Sequence, residues 1–304
     1  MDFLLSVLAQ VLRIAVPYAL VAVGGCFSER SGVINIALEG ILLNSAFGTA
    51  VGTIATGSAE AGVLCGVLAG ALTALVHTIV TVVGRADQIV SGLAINIASL
   101  GATRALLKVL YTSASNSPRI LESAWAPLPG FALLGPLGEV VGQPLFLFAV
   151  AVVLGAERFL LRSGTGLLLR AAGERPAALD ATGFSVVRTR ATGVILGGAI
   201  AGFGGCWLAF QQNSFTHGMS GGRGYIALAA MIAGKWRPSW AVAACLLFAA
   251  AETLQIRFSG RGVPTQFLQM IPYLVALAVL AGWVGRATPP AAIGRPYLRG
   301  GEET

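Results

Sequence analysis

Long apolar runs, separated by short polar stretches, constrain the fold of this 304-residue chain more than any other feature. A helix needs about 20 mostly apolar residues to cross a lipid bilayer. Candidate runs lie at 3–24, 33–56, 61–83, 88–111, 144–161, 190–211, 224–234, 240–257 and 265–285. The run 224–234 is too short to cross alone, which predicts a broken or half-crossing helix unless it extends into Lys235-Trp236. The pattern predicts an all-α membrane protein, a polytopic helical bundle of about 8–10 transmembrane segments with broken or short helices.

The composition excludes a soluble domain. Charged residues make up 11% of the chain and the mean hydropathy is +0.79, whereas soluble domains carry roughly 25% charged residues. Forty glycines fit this interpretation, because small residues let helices approach closely inside a membrane. The net charge of +7 could suggest nucleic-acid binding. The basic residues flank the apolar runs, however, and orientation in the bilayer explains them better.

Basic residues mark one side of the bundle as cytoplasmic, because cytoplasmic loops are enriched in lysine and arginine. They are Arg85, the arginines of 162–190, Lys235, Arg237, Arg286, Arg295 and Arg299. Residues 112–143 then face outward as a loop with one short surface helix, and residues 28–32 are either a cytoplasmic turn or an unwound point inside one crossing. The predicted domains are a transmembrane domain, 1–285, which includes the cytoplasmic loop, and a short cytoplasmic tail, 286–304.

The polar segment 162–190 interrupts the hydrophobic second half of the chain and carries five arginines against two acids. Pro176 lies just inside, and Gly183 just past, a short helix within 174–183, an asymmetry typical of helix ends. Three alanines on one face of it form a shallow surface that a partner could approach closely, namely Ala177, Ala178 and Ala181. The segment either docks on a cytoplasmic partner or is an ordinary positively charged loop that touches nothing.

The stretch 24–40 places charged and amide side chains where the sequence is otherwise at membrane depth. Such groups are costly there unless they pair or line a cavity. Asn35 and Glu39 are four residues apart, so on a helix they share a face. Transporters place polar groups of this kind on discontinuous helices near the membrane midplane. Alternatively, Glu29 and Arg30 form a solvated pair at a membrane edge.

A second polar cluster lies at 87–96, where Gln88, Ser91 and Asn96 fall on neighbouring helical turns. These side chains could line a path for a polar solute. They could equally form interhelical hydrogen bonds that only hold the bundle together.

A third cluster, 211–225, is a glycine-rich outward loop that runs into the short helix at 224–234. Irregular backbone at membrane depth is tolerated only where it is buried in protein or lines water. Phe215 and Tyr225 are candidate stacking faces for a ring-shaped solute. The alternative for both is the aromatic belt at the membrane interface.

The sequence contains none of the common signatures of a catalytic or metal site. It lacks the GxxxxGK[ST] phosphate loop, so ATP bound in that way is not expected, and it lacks HExxH and GxSxG. The four cysteines, Cys26, Cys65, Cys206 and Cys245, are scattered singly and give no support for a metal or a disulfide. We therefore expect a non-catalytic chain with no cofactor, no metal and no nucleic acid.

With these clusters in place, the chain resembles a permease subunit of bacterial ABC importers, in the family that includes branched-chain amino acid and ribose permeases. Within that family it looks most like the simple-sugar and nucleoside uptake permeases. The resemblance covers roughly residues 10–285 and is carried by SERSGVINI at 28–36 with LEG at 38–40, ADQIVSG at 86–92 with AIN at 94–96, GERP at 173–176, and SFT at 214–216 with GRGYIALAA at 222–230 and GKW at 234–236.

The resemblance implies a fold like that of type II ABC importers, and the translocation of a nucleoside or simple sugar across the bacterial cytoplasmic (inner) membrane by alternating access. It implies a second permease chain in a heterodimer, two ATP-binding cassette domains that bind the ATP, and an extracytoplasmic substrate-binding lipoprotein. The helix in 174–183 would be the coupling helix, and the implied ATPase-coupling residues are Gly173, Glu174, Pro176, Ala177, Ala178, Ala181 and Gly183. The stretches 24–40 and 211–225 would be related parts of two halves of the subunit, near the path.

The expected substrate pathway draws on all three polar clusters: Asn35, Glu39, Gln88, Ser91, Asn96, Phe215 and Tyr225. Two other functions stay open at this point. An ion-driven secondary transporter of a small polar solute would use Glu39 as its titrating group. A structural or assembly subunit would contain no pathway.

Overall fold

The computed structural model describes residues 2–120, 127–259, 265–278, 281 and 288–298. These ranges contain no strand beyond an isolated bridge between Asn116 and Thr216. The helices are α1 Asp2–Arg30, α2 Leu38–Thr56, α3 Ala59–Thr78, α4 Gln88–Tyr111, α5 Gly138–Val141, α6 Pro144–Arg162, α7 Gly164–Glu174, α8 Pro176–Ala181, α9 Val186–Gln211, α10 Arg223–Ala233, α11 Pro238–Phe258 and α12 Thr265–Ala278. A π-helical turn, Ile79–Val83, continues α3, and a 3-10 helix, Pro129–Leu137, precedes α5.

Seven helices in the described ranges are long and apolar enough to cross a membrane: α1, α2, α3 with its π-helical turn, α4, α6, α9 and α11. This confirms the predicted all-α polytopic class. Helix α10 is shorter, as the short run 224–234 predicts. The count of about 8–10 segments stays a prediction, because the run 265–285 and the domain boundary at its end lie partly outside the described residues.

Helix α9 lies at the centre of the bundle and contacts α1, α2 and α3. Glycines let the backbones touch. A Cβ on Gly24 would overlap the carbonyl oxygen of Gly197, and a Cβ on Gly70 would lie 2.7 Å from the carbonyl oxygen of Gly198. Membrane helices associate through such close van der Waals contact, because lipid tails are as apolar as the side chains they would replace. The high glycine content is therefore a packing requirement of these helices.

Two contacts indicate the direction of α1. The carbonyl of Arg13 accepts a hydrogen bond of 2.9 Å from Trp207, near the end of α9, while Arg30, the last residue of α1, lies 4.0 Å from Glu174 in the arginine-rich loop. The charge of that loop predicts that it is cytoplasmic, and α1 would then run from the outside inward. The helix continues to Arg30, so the interruption at 28–32 is a turn at the end of α1.

The segment 31–37 is irregular, and α2 begins only at Leu38. The expectation that Asn35 and Glu39 share one helical face is therefore wrong. Gly32, with a φ of 94°, makes a left-handed turn directly after α1 that residues with a Cβ rarely adopt. The polar side chains of this stretch consequently lie on different elements.

The outward segment differs from the single short surface helix that the sequence predicts. It contains a 3-10 helix followed by α5, and residues 121–126 lie outside the described ranges. Its first part pairs with the loop before α10, where Ser117 N donates to Phe215 O at 2.9 Å and Ile120 N donates to Asn213 O at 2.8 Å. The two loops therefore form one outer layer.

Candidate functional site

The first turns of α2 and α10 meet at a carboxylate. Glu39, in the first turn of α2, accepts hydrogen bonds from the backbone N–H groups of Gly222 and Gly224, both at 2.7 Å. The first N–H groups of a helix have no partner within the helix, and its dipole favours negative charge there. Gly222 occupies the N-cap position of α10 and has no side chain to accept these bonds. A carboxylate from another helix therefore caps α10.

Gly224 is required for this contact. A Cβ at that position would lie 2.5 Å from both the Cα and the backbone nitrogen of Glu39. Non-bonded carbon atoms prefer a separation of about 3.5–4.0 Å. The backbones of α2 and α10 therefore touch, and a larger residue at 224 would push the two helices apart.

Asn96, on α4, bonds to the irregular segment 31–37, to α2 and to α10. Its Oδ1 accepts a hydrogen bond of 2.8 Å from Gly40 N, and its Nδ2 donates to Ile36 O at 2.9 Å and to the Tyr225 hydroxyl at 3.0 Å. Because one amide satisfies backbone groups of the irregular segment and of α2, and also reaches α10, it positions both helix starts. Tyr225 is 43% exposed beside it.

Gln88 and Ser91 help to hold the backbone around Ile34, in the segment 31–37. Gln88 Oε1 accepts a hydrogen bond of 2.6 Å from Ile34 N, while His77 Nε2 lies 3.0 Å from Ile34 O and His77 Nδ1 lies 3.0 Å from Ser91 Oγ. All three side chains are buried. They stabilise an irregular backbone in the protein interior, which fits the interhelical alternative that the sequence left open.

Asn35 and Phe215 are fully buried. Asn35 Nδ2 donates to Ser28 Oγ at 3.0 Å, and its Oδ1 has no hydrogen-bond partner among the described residues. Phe215 packs edge-on against Phe47, with ring centroids 5.1 Å apart. In this conformation neither side chain is open to a passing solute.

The structure therefore divides the seven predicted pathway residues into two groups. Glu39, Asn96 and Tyr225 come together where α2, α4 and α10 meet, and Glu39 and Tyr225 there are partly exposed. The other four, Asn35, Gln88, Ser91 and Phe215, are buried in the protein interior. The assignment of all seven residues to the pathway stays a prediction.

A further polar site, around Glu252, was not singled out from the sequence. Glu252 on α11 accepts a hydrogen bond from the Tyr18 hydroxyl and lies 3.6 Å from an Arg223 guanidinium nitrogen. With Gln255 they line a cavity of about 210 Å³. An acidic residue inside the apolar run 240–257 is the sequence feature that could have indicated this site, because intramembrane charges are rare unless they pair or serve a function.

Glu29 and Arg30 join the end of α1 to the turn between α10 and α11. Trp236 Nε1 donates to the buried Glu29 carboxylate at 2.5 Å, while Arg30 donates to Trp236 O at 3.0 Å and to Lys235 O at 3.3 Å. Lys235 and Trp236 both have positive φ, 53° and 55°, a conformation that costs roughly 1–3 kcal/mol per residue unless the surroundings enforce it. Because the Glu29 carboxylate is buried and bonded to Trp236, it does not form a solvated pair with Arg30, and that alternative is wrong.

The short helix predicted in the cytoplasmic loop is present as α8. Pro176 occupies its first turn, and Gly183 follows it with a φ of 87°. The three alanines of the predicted docking face, Ala177, Ala178 and Ala181, are exposed, whereas Pro176 and Leu179 are buried. The helix thus presents small residues on its exposed face and packs its larger apolar side chain inward.

Gly173 and Glu174 lie on the inner side of this loop. Glu174 is the last residue of α7, separated from α8 by Arg175, so the predicted helix does not begin at 174. The Glu174 carboxylate lies 4.0 Å from Arg30, and a Cβ on Gly173 would overlap the Arg30 carbonyl oxygen. These two residues connect the loop to α1, and their part in coupling to an ATPase stays a prediction.

Comparison with known proteins identifies the family. A family model described as the permease component of the branched-chain amino acid transport system matches residues 7–280, nearly the whole chain. The chain belongs to this permease family. With seven span-length helices in the described ranges, the permease is a multi-pass protein of the cytoplasmic membrane.

Three relatives match the permease over almost their full length. The guanosine ABC transporter permease protein NupQ of Bacillus subtilis is 35% identical over 96% of this chain and 99% of the relative. The nucleoside ABC transporter permease protein NupC of Lactococcus lactis is 34% identical over 96% of each chain. The putative glucose ABC transporter permease protein TsgC13 of Haloferax volcanii is 31% identical over 98% and 99%. No solved structure matches the chain.

The similarity to this family and to these relatives identifies the permease as the membrane-spanning subunit of an ABC importer. Such a subunit is non-catalytic, and it works with an ATPase and a substrate-binding protein.

Proposed function

We propose that the permease imports nucleosides. The observation that carries this proposal is its full-length similarity to two relatives named as guanosine and nucleoside permeases, at 35% and 34% identity. The cluster of Glu39, Asn96 and Tyr225 suits such a solute. A carboxylate accepts hydrogen bonds from hydroxyls of the kind that ribose carries, and the partly exposed phenol ring offers an apolar face for a base. The buried Asn96 holds the two in position.

The complete importer contains, in this proposal, a second and longer permease chain in a heterodimer. Two ATP-binding cassette domains on the cytoplasmic side bind and hydrolyse the ATP, a lipoprotein outside delivers the nucleoside, and this chain holds no cofactor of its own. The exposed alanine face of α8 supports docking on a cassette, because small residues permit close approach.

A continuous set of contacts supports α8 as the coupling helix. Helix α8 follows directly on α7, whose last residue, Glu174, lies 4.0 Å from Arg30. Arg30 in turn donates to the carbonyls of Lys235 and Trp236 in the turn after α10. Displacement of α8 would therefore move α10, a rod about 16 Å long, whose other end binds Glu39. A change at that end would alter which side of the membrane the cluster faces, as alternating access requires.

Uptake in a bacterial strain that lacks its own nucleoside and glucose importers tests the proposal. The permease is produced together with its second permease chain, ATPase and lipoprotein, and uptake of labelled guanosine, ribose and glucose is compared. We expect guanosine uptake that is lost when the ATPase carries a substitution that blocks hydrolysis. The matched control omits only the lipoprotein and should also abolish uptake.

A simple sugar is the second candidate substrate, because one full-length relative is named as a putative glucose permease. Uptake of glucose without guanosine in this experiment would select it. Guanosine uptake by this chain alone, driven by a proton or sodium gradient, would contradict the ABC mechanism and favour Glu39 as a titrating group.

A further inference from the structure

The C-terminal segment 288–298, here termed the strap, packs on the cytoplasmic end of α7 instead of extending away as a simple tail. Ala292 N donates to Gly173 O at 2.8 Å, and Ala291 N donates to the Glu174 carboxylate at 3.2 Å. Both acceptors belong to the last two residues of α7, immediately before α8. The strap therefore holds the base of the proposed coupling helix.

The strap also contacts the irregular segment 31–37. Gly294 N donates to Gly32 O at 3.2 Å, and a Cβ on Gly294 would lie 2.9 Å from the Cδ1 of Ile34. Gly294 has a φ of 76°, which other residues adopt only at a cost. One short peptide thus bonds on one side to α7 and on the other to the segment that leads to Glu39.

Arg190, on α9, clamps the strap in place. Its side chain is buried, with 3% exposure, and it donates to Arg295 O at 2.6 Å, to Ala292 O at 3.4 Å and to Ala172 O at 3.3 Å. A buried guanidinium is costly unless its donors find acceptors. Two of these acceptors come from the strap and one from α7. The buried charge therefore has all three acceptors only when the strap and α7 lie together.

We propose that the strap, clamped by Arg190, is a positioning element that joins α7 and α8 to the segment 31–37 as one moving unit. Displacement of α8 then reaches the segment 31–37 directly, in parallel with the route through Arg30. The inference rests on the proposed role of α8 as the coupling helix. It assigns Arg190 and Gly294 to coupling, although neither residue belongs to α8 or to the Glu39, Asn96 and Tyr225 cluster.

Maleimide labelling of one introduced cysteine tests this without any knowledge of the substrate, because the native Cys26, Cys206 and Cys245 are buried. In the assembled complex, with the exposed Cys65 replaced by Ser, Ile36→Cys reports on the segment 31–37, where Ile36 is partly buried. Labelling rates are compared with and without ATP plus vanadate, which traps the ATPase. We expect the rate to change about fivefold or more on trapping when the strap is intact. Arg190→Ala and Gly294→Ala should each remove most of that change.

Two controls separate coupling from folding. Arg190→Lys keeps a donor and should restore part of the response, and Arg295→Ala removes an exposed charge from the strap while leaving the carbonyl that Arg190 uses, so its response should match the parent. All variants should retain the ATPase on purification and hydrolyse ATP. Guanosine uptake per ATP hydrolysed should fall about five- to tenfold in Arg190→Ala and Gly294→Ala.

An undiminished trapping response in both Arg190→Ala and Gly294→Ala would overturn the proposal. Loss of the ATPase from both complexes would also overturn it, because the strap would then serve assembly alone. Absence of guanosine uptake in the parent complex, with the labelling response intact, would count against the nucleoside substrate and leave the strap supported.

Discussion

Two irregular segments lead into helices that meet at Glu39, and they are held in different ways. The segment 31–37, before α2, is fixed by side chains of α3 and α4, including Gln88 and Asn96. The segment 212–222, before α10, is built from tight turns in its own backbone and pairs with the outward loop at Ser117 and Ile120, and Glu39 accepts the N–H bonds of Gly222 and Gly224 where α10 begins. One segment is therefore held mainly by side chains of neighbouring helices, and the other by backbone pairing and a single carboxylate.

This difference indicates how each segment moves. A segment bonded to two neighbouring helices by several side chains shifts together with those helices. Helix α10 is held at its start by Glu39, Asn96 and Glu252. The turn after its end is bound by Glu29 and Arg30, so a small displacement of that turn can change the contact at Glu39. Interruption of transmembrane helices near transport sites permits such local rearrangement.

The largest expected effect comes from removing the carboxylate. Glu39→Ala leaves two N–H groups of α10 without their acceptor, and hydrogen bonds to charged groups contribute about 1.5–3 kcal/mol each, so we expect the free energy of unfolding to fall by about 3 kcal/mol. Denaturant unfolding of the purified permease in detergent measures this. Glu39→Gln retains one acceptor oxygen and should lose roughly half as much. Unchanged stability of the Ala variant would mean that the cap is not concentrated in Glu39.

Next in size is the effect of a methyl group between α2 and α10. Gly224→Ala places a Cβ against the Glu39 backbone and should lower the free energy of unfolding by about 2 kcal/mol, with loss of uptake because the capping bonds lengthen. The matched control is Gly101→Ala in α4, where a Cβ meets nothing within 4 Å. If both alanine variants behaved alike, the close approach of the two helices would be refuted.

A smaller effect is expected in the segment 31–37. Gln88→Met keeps the length of the side chain but removes the acceptor for Ile34 N, which should cost about 1–2 kcal/mol of unfolding free energy. His77 still bonds Ile34 O, so the segment should keep its place and uptake should largely persist. A loss larger than that of Glu39→Ala would reverse the comparison between the two segments.

The smallest expected effect is that of Tyr225→Phe. It removes one hydrogen bond of 3.0 Å to Asn96, and interhelical hydrogen bonds in membranes contribute about 0.6 kcal/mol on average. Stability should therefore hardly change, and uptake of guanosine should persist with the ring in place. Tyr225→Ala should instead raise the apparent KM for guanosine if the ring is a stacking face. Equal KM values for Phe, Ala and the native residue would remove Tyr225 from the pathway.

Local chemistry made much of the architecture predictable. The nine apolar runs predicted the positions of the long helices, and Pro176 with Gly183 predicted α8, because hydropathy and helix-end preferences depend on neighbouring residues alone. Spacing along the sequence gave a wrong prediction where the backbone is not helical. The four-residue spacing of Asn35 and Glu39 implies a shared face only on a helix, and the helix begins at Leu38.

The sequence by itself determined that this chain crosses the membrane many times, that its arginine-rich loop is cytoplasmic, and that polar groups recur at three places within the apolar runs. Only the tertiary structure decided which groups those polar side chains bind: that Glu39 caps α10, that Gln88 and Asn96 hold the segment 31–37, and that Arg190 binds the strap. The reason is physical. A polar group buried at membrane depth must find a partner, but the partner lies tens to hundreds of residues away, where no local pattern specifies it.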